Sequence, residues 1–377
     1  MVEHIHSAGL PPGLLRMMDN ENPLGPSPKA LDAIQTHMQS LNRYEWFDSD
    51  SDGNLTHLQP AEMLIRALAD ENGISLPEPF DLEKPHPIFL APGVDQILKL
   101  LAVAYLSPGH GELIEAEVTY GEISEKAREL DSAGIDTNVV QVPMTADHKH
   151  DLDAMLEAIT PRTRLMVVTN PNNPTGSLLT YEAISAFVNN VPGEIVVVID
   201  EAYFHFVKQP NYQSTMSLAL SRDNVVVVRT FAKVYGIRGV MVGYAVSSQA
   251  IKEKLMLYNS GRTSPLSLMA ALAALGDHDH VQRSRDTVIS SRERLFHEFE
   301  AMNLEYIPSE TNFVQVNVER DTEEVRLALW DKRIAVSPRG SQVMKGWIRI
   351  SVGTMNEIET FLSAFKEVLP TISRLGE

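Results

Sequence analysis

The sequence contains no cysteine. Disulfides, thiolate zinc sites and thiol nucleophiles are thereby excluded, and the composition fits a reducing cytoplasm, the expected location. No run of about 18 apolar residues occurs, so no segment is expected to span a membrane. The opening stretch MVEHIHSAGLPPGLL has neither a basic head nor a long apolar core, so no secretion signal is expected. Positive charge is scarce: 32 Lys and Arg stand against 50 Asp and Glu, a formal net charge of −18. Without a basic patch, that charge repels a phosphate backbone and argues against nucleic-acid partners. No repeat period emerges.

What is present is a chain with ample core material, 44% hydrophobic over 377 residues, long enough for two or three units. Asn20 to Pro26 reads as an extended arm feeding a helix, with Ser27 as cap and Pro28 in the first turn. Apolar periodicity predicts a helix over 60–71, and the Pro-rich stretch 74–88 a loop. Strands and helices then alternate: strand 88–91, helix 94–106, strand 113–116, helix 121–133. The runs RLMVVT (164–169), EIVVVID (194–200) and NVVVVR (224–229) are continuous and β-branched, as in a parallel sheet covered on both faces. An α/β architecture follows, with function expected at the C-terminal ends of the strands. Beyond 265, long helices over 266–276 and 280–302, alternating strands at 312–316 and 347–351, and a helix at 355–368 indicate a smaller α+β domain. The expected division is an N-terminal arm, 1–40, joining that small domain; a large domain, 41–264; and the small domain itself, 265–377.

Three features each follow a buried strand: NPNNPTG (170–176), DEAY (200–203) and TFAK (230–233). Singly they read as a turn, a helix cap and a solvated lysine. In this order they resemble fold-type I pyridoxal-phosphate enzymes of the class I/II aminotransferase group, nearest to histidinol-phosphate aminotransferases. The resemblance extends through NENPLGPSP, Arg43-Tyr44, APGVDQ (91–96), Tyr120-Gly121, Gly243-Tyr244, Asn312-Phe313 and IRISVGT (348–354), nearly the whole chain.

The resemblance implies pyridoxal 5′-phosphate as cofactor and assigns roles by position. Lys233 matches the lysine that holds the cofactor aldehyde as an imine and moves the substrate proton, tasks that suit an amine of adjustable pKa. Asp200 matches the buried carboxylate that keeps the pyridine nitrogen protonated. Tyr203 and Asn173 match the partners of the ring's phenolic oxygen, and Tyr120 the aromatic stacked on its face. Val94, Asp95 and Gln96 open a helix whose free N–H groups suit a phosphate, with Thr230 adding a hydroxyl. Tyr44 would reach the phosphate in a neighbouring subunit, implying a homodimer. Arg349 matches the fork for the substrate carboxylate, and Asn22 a second substrate contact. No metal site is expected.

The chain also departs from the family pattern. Ala232 stands where Ser is usual, and Met241 where an arginine binds the cofactor phosphate; Arg238 is the candidate replacement. Ser337 stands where histidinol-phosphate enzymes carry an arginine, with Arg339 two residues on. A different donor is therefore expected, with a cationic guanidino or imidazole side chain as one candidate. The acidic, aromatic segment Tyr44 to Gly53 replaces a short Tyr-Pro loop. It reads as a solvated mobile loop, as a wall for a cationic side chain, or as half of a calcium loop through Asp48, Asp50 and Asp52, lacking the closing Glu at Gln59. His278-Asp279-His280 and Asp147 to His150 read as surface loops, and the apolar stretch 255–275 as core or dimer interface. The expected reaction is amino transfer between an L-amino acid and a 2-oxo acid. Decarboxylation or amino-acid oxidation on the same scaffold is the alternative, and a non-catalytic binding protein the remote one.

Overall fold

The computed structural model describes residues 13–43, 46–49, 55–82, 84–338 and 342–375. The β-branched runs form the centre of a seven-stranded sheet in the order Ile88–Ala91, Gly243–Ser247, Val225–Thr230, Val196–Asp200, Thr163–Thr169, Glu112–Ala116, Asn138–Val142. Only Gly243–Ser247 runs antiparallel to its neighbours. Side-chain alternation explains why no polar residue interrupts these runs. Val197, Ile199, Val225 and Val227 enter one core with Phe187 and Val188. Val196, Val198, Val226 and Val228 enter the opposite core with Ile97 and Leu101. Burying each valine side chain contributes about 1.5–3 kcal/mol.

A second, five-stranded sheet runs Leu15–Met17, Ile334–Pro338, Trp347–Ser351, Phe313–Asn317, Tyr306–Ile307. The first of these pairs in parallel with Ile334–Pro338, so the N-terminal arm is stitched into the C-terminal sheet. The helix Pro28–His37 begins at Ser27, whose Oγ accepts from Ala30 N–H at 3.3 Å. That same Oγ donates to Asp277 at 2.7 Å, which fixes the arm to the long helix His278–Ala301.

Several local expectations are corrected. Phe313–Asn317 and Trp347–Ser351 do not alternate between core and solvent; both are covered on two faces. The acidic segment is not all loop: Trp46–Ser49 pairs antiparallel with Leu55–Leu58. Asp50, Asp52 and Gly53, like Tyr44 and Arg339, lie outside the described residues. His280 opens a helix and is buried, and His150 is buried too, so neither belongs to a surface loop. Burial holds the His150 imidazole down at about 4, so it is neutral. Among the described residues, no group of three or more His, Asp or Glu side chains is placed to hold a metal ion, and no helix is long and apolar enough to cross a membrane.

Candidate active site

Thr169 and Asp200 are register partners at the ends of parallel strands, and Thr230 ends the next one. Their side chains open into one cavity of about 440 Å³, where Lys233, Tyr203 and Arg349 meet them. This is the position expected from the parallel topology, outside the carboxyl ends of the strands.

Asp200 is 3% exposed, and its Oδ1 accepts from Ala202 N–H at 2.9 Å. Burial pushes its carboxyl up to about 7; the Ala202 N–H and the Lys233 ammonium oppose the shift, and the Asp95 carboxylate reinforces it. A buried acid in this state suits a cationic ring nitrogen, which would restore its ionised form. Lys233 Nζ lies 5.4 Å from the centroid of the Tyr203 ring. That ring meets Phe313 edge-on, with centroids 5.2 Å apart at 88°.

At another part of the wall begins the helix Val94–Leu106. Gly93 precedes it at φ +86° and supplies no side-chain cap, which leaves the first N–H groups for an anion. Gly243 makes room for this turn: a Cβ there would sit 2.5 Å from the Val94 nitrogen. Val94 and Asp95 line the cavity; Gln96 does not. Tyr120 donates its hydroxyl to Asp95 Oδ1 at 2.9 Å, and burial, then the Asp95 charge, raises the phenol well above its ordinary range. Arg238 also lines the cavity, half-exposed, with Nη2 3.9 Å from Asp95 Oδ2, and Met241 lies beside it. The Thr230 hydroxyl accepts from Ala232 N–H at 3.1 Å.

Asn173, in the turn after a strand of the central sheet, touches Arg349 of the second sheet: Arg349 Nη1 donates to Asn173 Oδ1 at 2.8 Å, and Nη2 to Met18 O at 2.6 Å. The turn that carries Asn173 is braced by the preceding residue. Asn172 Nδ2 donates to Val118 O at 2.9 Å and to Thr175 Oγ1 at 2.8 Å, while its Oδ1 meets Thr119 Oγ1 at 2.9 Å and His150 Nε2 at 3.2 Å.

Asn22 is not in the cavity. Its Nδ2 donates to Val234 O at 2.6 Å and Ser284 Oγ at 2.8 Å, which docks the arm against the segment after Lys233. The arm residues that do line the cavity are Asp19, Asn20 and Glu21. Both carboxylates there pair with Arg16, at 3.2 and 2.9 Å. Ser337 stands opposite Arg349 across the strand pair.

The family model for "Aminotransferase class I and II" matches residues 14–365. A histidinol-phosphate aminotransferase of Moorella thermoacetica is 35% identical, covering 94% of this chain and 86% of its own. Histidinol-phosphate aminotransferase 2 of Pseudomonas aeruginosa is 34% identical, over 95% and 90%. Among solved structures, the histidinol-phosphate aminotransferase from Sinorhizobium meliloti in complex with pyridoxal-5′-phosphate superposes with a TM-score of 0.81 at 26% identity, covering 95% of this chain and 91% of its own. The chain therefore belongs to the class I and II aminotransferases: it has the fold-type I architecture and is a pyridoxal-phosphate-dependent aminotransferase of the histidinol-phosphate aminotransferase-like kind.

Proposed function

We propose that the chain moves an amino group between an amine that carries an anionic group and a 2-oxo acid, with histidinol phosphate as the first donor to test. The observation that carries this reading is the meeting of Lys233, Asp200, Tyr203, Asn173 and Arg349 around one cavity. When bound, pyridoxal phosphate supplies an electrophilic carbonyl and an electron sink. The protein's part is division of labour. Lys233 anchors that carbonyl and carries the proton between the substrate α-carbon and the cofactor C4′. Asp200 keeps the ring nitrogen protonated. Tyr203 and Asn173 hold the phenolic oxygen, and Tyr120 covers the ring face. The N–H groups at Val94 and Asp95, the Thr230 hydroxyl and the Arg238 guanidinium receive the phosphate. Arg349 takes the substrate anion in a bidentate fork.

A cationic side chain as the preferred substrate has less support. The two carboxylates that the arm brings to the cavity share one partner, Arg16, which offsets one of their two charges, and the relatives are named for a phosphorylated donor. We propose further that the working unit is a homodimer in which Tyr44 reaches the neighbouring cavity. Half-reactions of the purified protein with histidinol phosphate, L-glutamate, L-arginine and L-phenylalanine test the reading. Bleaching of the visible band by the first two, without carbon dioxide release or oxygen uptake, is expected. Release of carbon dioxide or uptake of oxygen would reassign the reaction to decarboxylation or oxidation. A faster response to arginine would restore the cationic substrate.

A further inference from the structure

Asn20 is 2% exposed, lines the cavity and has no place in the roles above. Each of its polar atoms has a partner. The backbone N–H donates to Ser351 Oγ at 2.8 Å, and the backbone carbonyl accepts from Asn312 Nδ2 at 2.9 Å. The side-chain carbonyl accepts from Ser351 Oγ at 3.0 Å, and Nδ2 donates to the Tyr203 hydroxyl oxygen at 3.1 Å. In the amide orientation of the structure, Ser351 Oγ accepts the Asn20 N–H and gives its single proton to Asn20 Oδ1, while Nδ2 faces Tyr203. A phenol oxygen that accepts at this side keeps its own proton for a different partner, and the cavity is the side left open. Packing on Phe313 stops the ring from turning away. The backbone at Asn20 is left-handed, φ +55°, a conformation that asparagine and glycine adopt more readily than other residues.

We infer that Asn20 is a positioning residue: it aims the Tyr203 O–H into the cavity and strengthens it as a donor to the phenolic oxygen of the cofactor ring. This rests on the aminotransferase reading of the Lys233 and Asp200 site. A hydroxyl that accepts one hydrogen bond is a better donor of the next, and a stronger donor stabilises negative charge on the ring oxygen. The pH at which the visible absorbance of the lysine-bound cofactor titrates is therefore held down by Asn20 acting through Tyr203. The same side chain joins the arm and the strand that carries Arg349 to the phenol, because Ser351 lies two residues beyond Arg349 on that strand.

The test is a pH titration of the visible absorbance of the holoenzyme in the wild type and in Asn20→Gly, Asn20→Asp and Tyr203→Phe. Glycine and aspartate both tolerate the left-handed backbone, so each removes the donor while sparing the turn. Asn20→Gly is expected to raise the midpoint by about one pH unit, the scale of one lost hydrogen bond. Asn20→Asp is expected to raise it at least as far, since a carboxylate draws the phenol proton away from the cavity. On a Tyr203→Phe background, Asn20→Gly is expected to add nothing. The inference is overturned if Tyr203→Phe moves the midpoint and neither Asn20 variant does. It is also overturned if the Asn20→Gly shift persists without the Tyr203 hydroxyl. Loss of arm docking alone would lower thermal stability equally in both backgrounds and leave the midpoint in place. A wild-type protein with no visible band would instead sink the aminotransferase reading of this site.

Discussion

Arg349, on the C-terminal sheet, donates to the side-chain carbonyl of Asn173, in the turn after a strand of the central sheet, at 2.8 Å. The residue proposed as the anion fork and a residue proposed to hold the ring oxygen are thus one hydrogen-bonded pair. The Arg349 guanidinium carbon also lies 5.3 Å from the centre of the Phe313 ring. Lysine can reproduce the charge but not a planar fork that serves Asn173 and an anion together. Arg349→Lys is expected to raise KM for the 2-oxo acid by about 10- to 100-fold, the scale of one charge-assisted hydrogen bond, with a smaller effect on kcat. Steady-state kinetics over a range of oxo-acid concentrations checks this; an unchanged KM would remove Arg349 from the anion site.

Asp200 gives the cofactor-free protein a pH dependence. Its folded-state carboxyl lies at about 7 against an ordinary 3.8. The folded state therefore holds the proton more tightly than the unfolded chain does. That contribution to stability is fully present below about pH 4 and is lost as pH rises through about 7. The melting temperature of the cofactor-free protein should fall between pH 5 and pH 8 more steeply than that of Asp200→Asn, whose side chain cannot ionise. Parallel curves would show that Asp200 is already ionised without the cofactor. In the holoenzyme, Asp200→Asn should lower kcat by at least about 10²-fold, because the ring nitrogen loses its counter-charge.

Behind the site, Arg229 uses all five of its N–H bonds. Nε and Nη2 reach Glu201 Oε2 at 3.0 and 2.8 Å, Nη2 reaches Ser214 Oγ at 2.7 Å, and Nη1 reaches Asn72 Oδ1 at 2.6 Å and the Tyr244 hydroxyl at 3.3 Å. Glu201 follows Asp200 and Arg229 precedes Thr230, so this buried pair clamps the two strand ends that face the cavity. Arg229→Met leaves Glu201 charged and buried without its partner, and is expected to cost about 3–5 kcal/mol in denaturant unfolding. Restoring stability by adding Glu201→Gln would locate the cost in that unpaired carboxylate.

Much of this site was legible in the sequence because its residues end long β-branched runs. Asp200 and Thr230 are the last residues of strands whose alternation into two cores leaves no other register. The arm was less legible. Asn20 and Asn22 are two residues apart in NENP, and an extended chain would put them on one face. The positive φ at Asn20 breaks that alternation, so Asn20 enters the cavity while Asn22 docks the arm. His150 was hidden for a related reason. It sits in a polar run, and only the folded turn shows that its imidazole closes on Asn172. Edge strands carried little signal: Asn138–Val142 is buried only at Val142 and lacks the apolar continuity of the centre.

Arg238 is the test of whether the phosphate end keeps a cation. Met241 adopts a left-handed backbone at φ +51° and is itself 46% exposed, so its side chain offers nothing to an anion. Arg238 lies three residues earlier in the same turn and faces the Asp95 carboxylate beside the helix start. Arg238→Ala is expected to raise the cofactor dissociation constant about tenfold, as for one partly solvated charge-assisted contact. Equilibrium dialysis measures this without turnover. Unchanged affinity would place Arg238 in solvent and leave the phosphate to the helix N–H groups and Thr230.

The end of the helix Gln249–Tyr258 presents Met256, Leu257 and Tyr258 to solvent, Leu257 at 82% exposure. Just beyond it, a Cβ on Gly261 would meet the Pro92 side chain at 3.7 Å, so this apolar end lies near the turn that starts the helix Val94–Leu106. Contiguous exposed apolar side chains are candidates for a contact surface. If a second copy provides that contact, Leu257→Glu should convert a dimer to a monomer in light scattering, and should weaken cofactor binding as Tyr44 of the neighbour withdraws. Tyr44→Phe separates the two effects: it should keep the dimer and lose only the cofactor affinity that the hydroxyl contributes. A wild-type protein that is monomeric at micromolar concentration and still retains its cofactor would show that each cavity is complete within one chain.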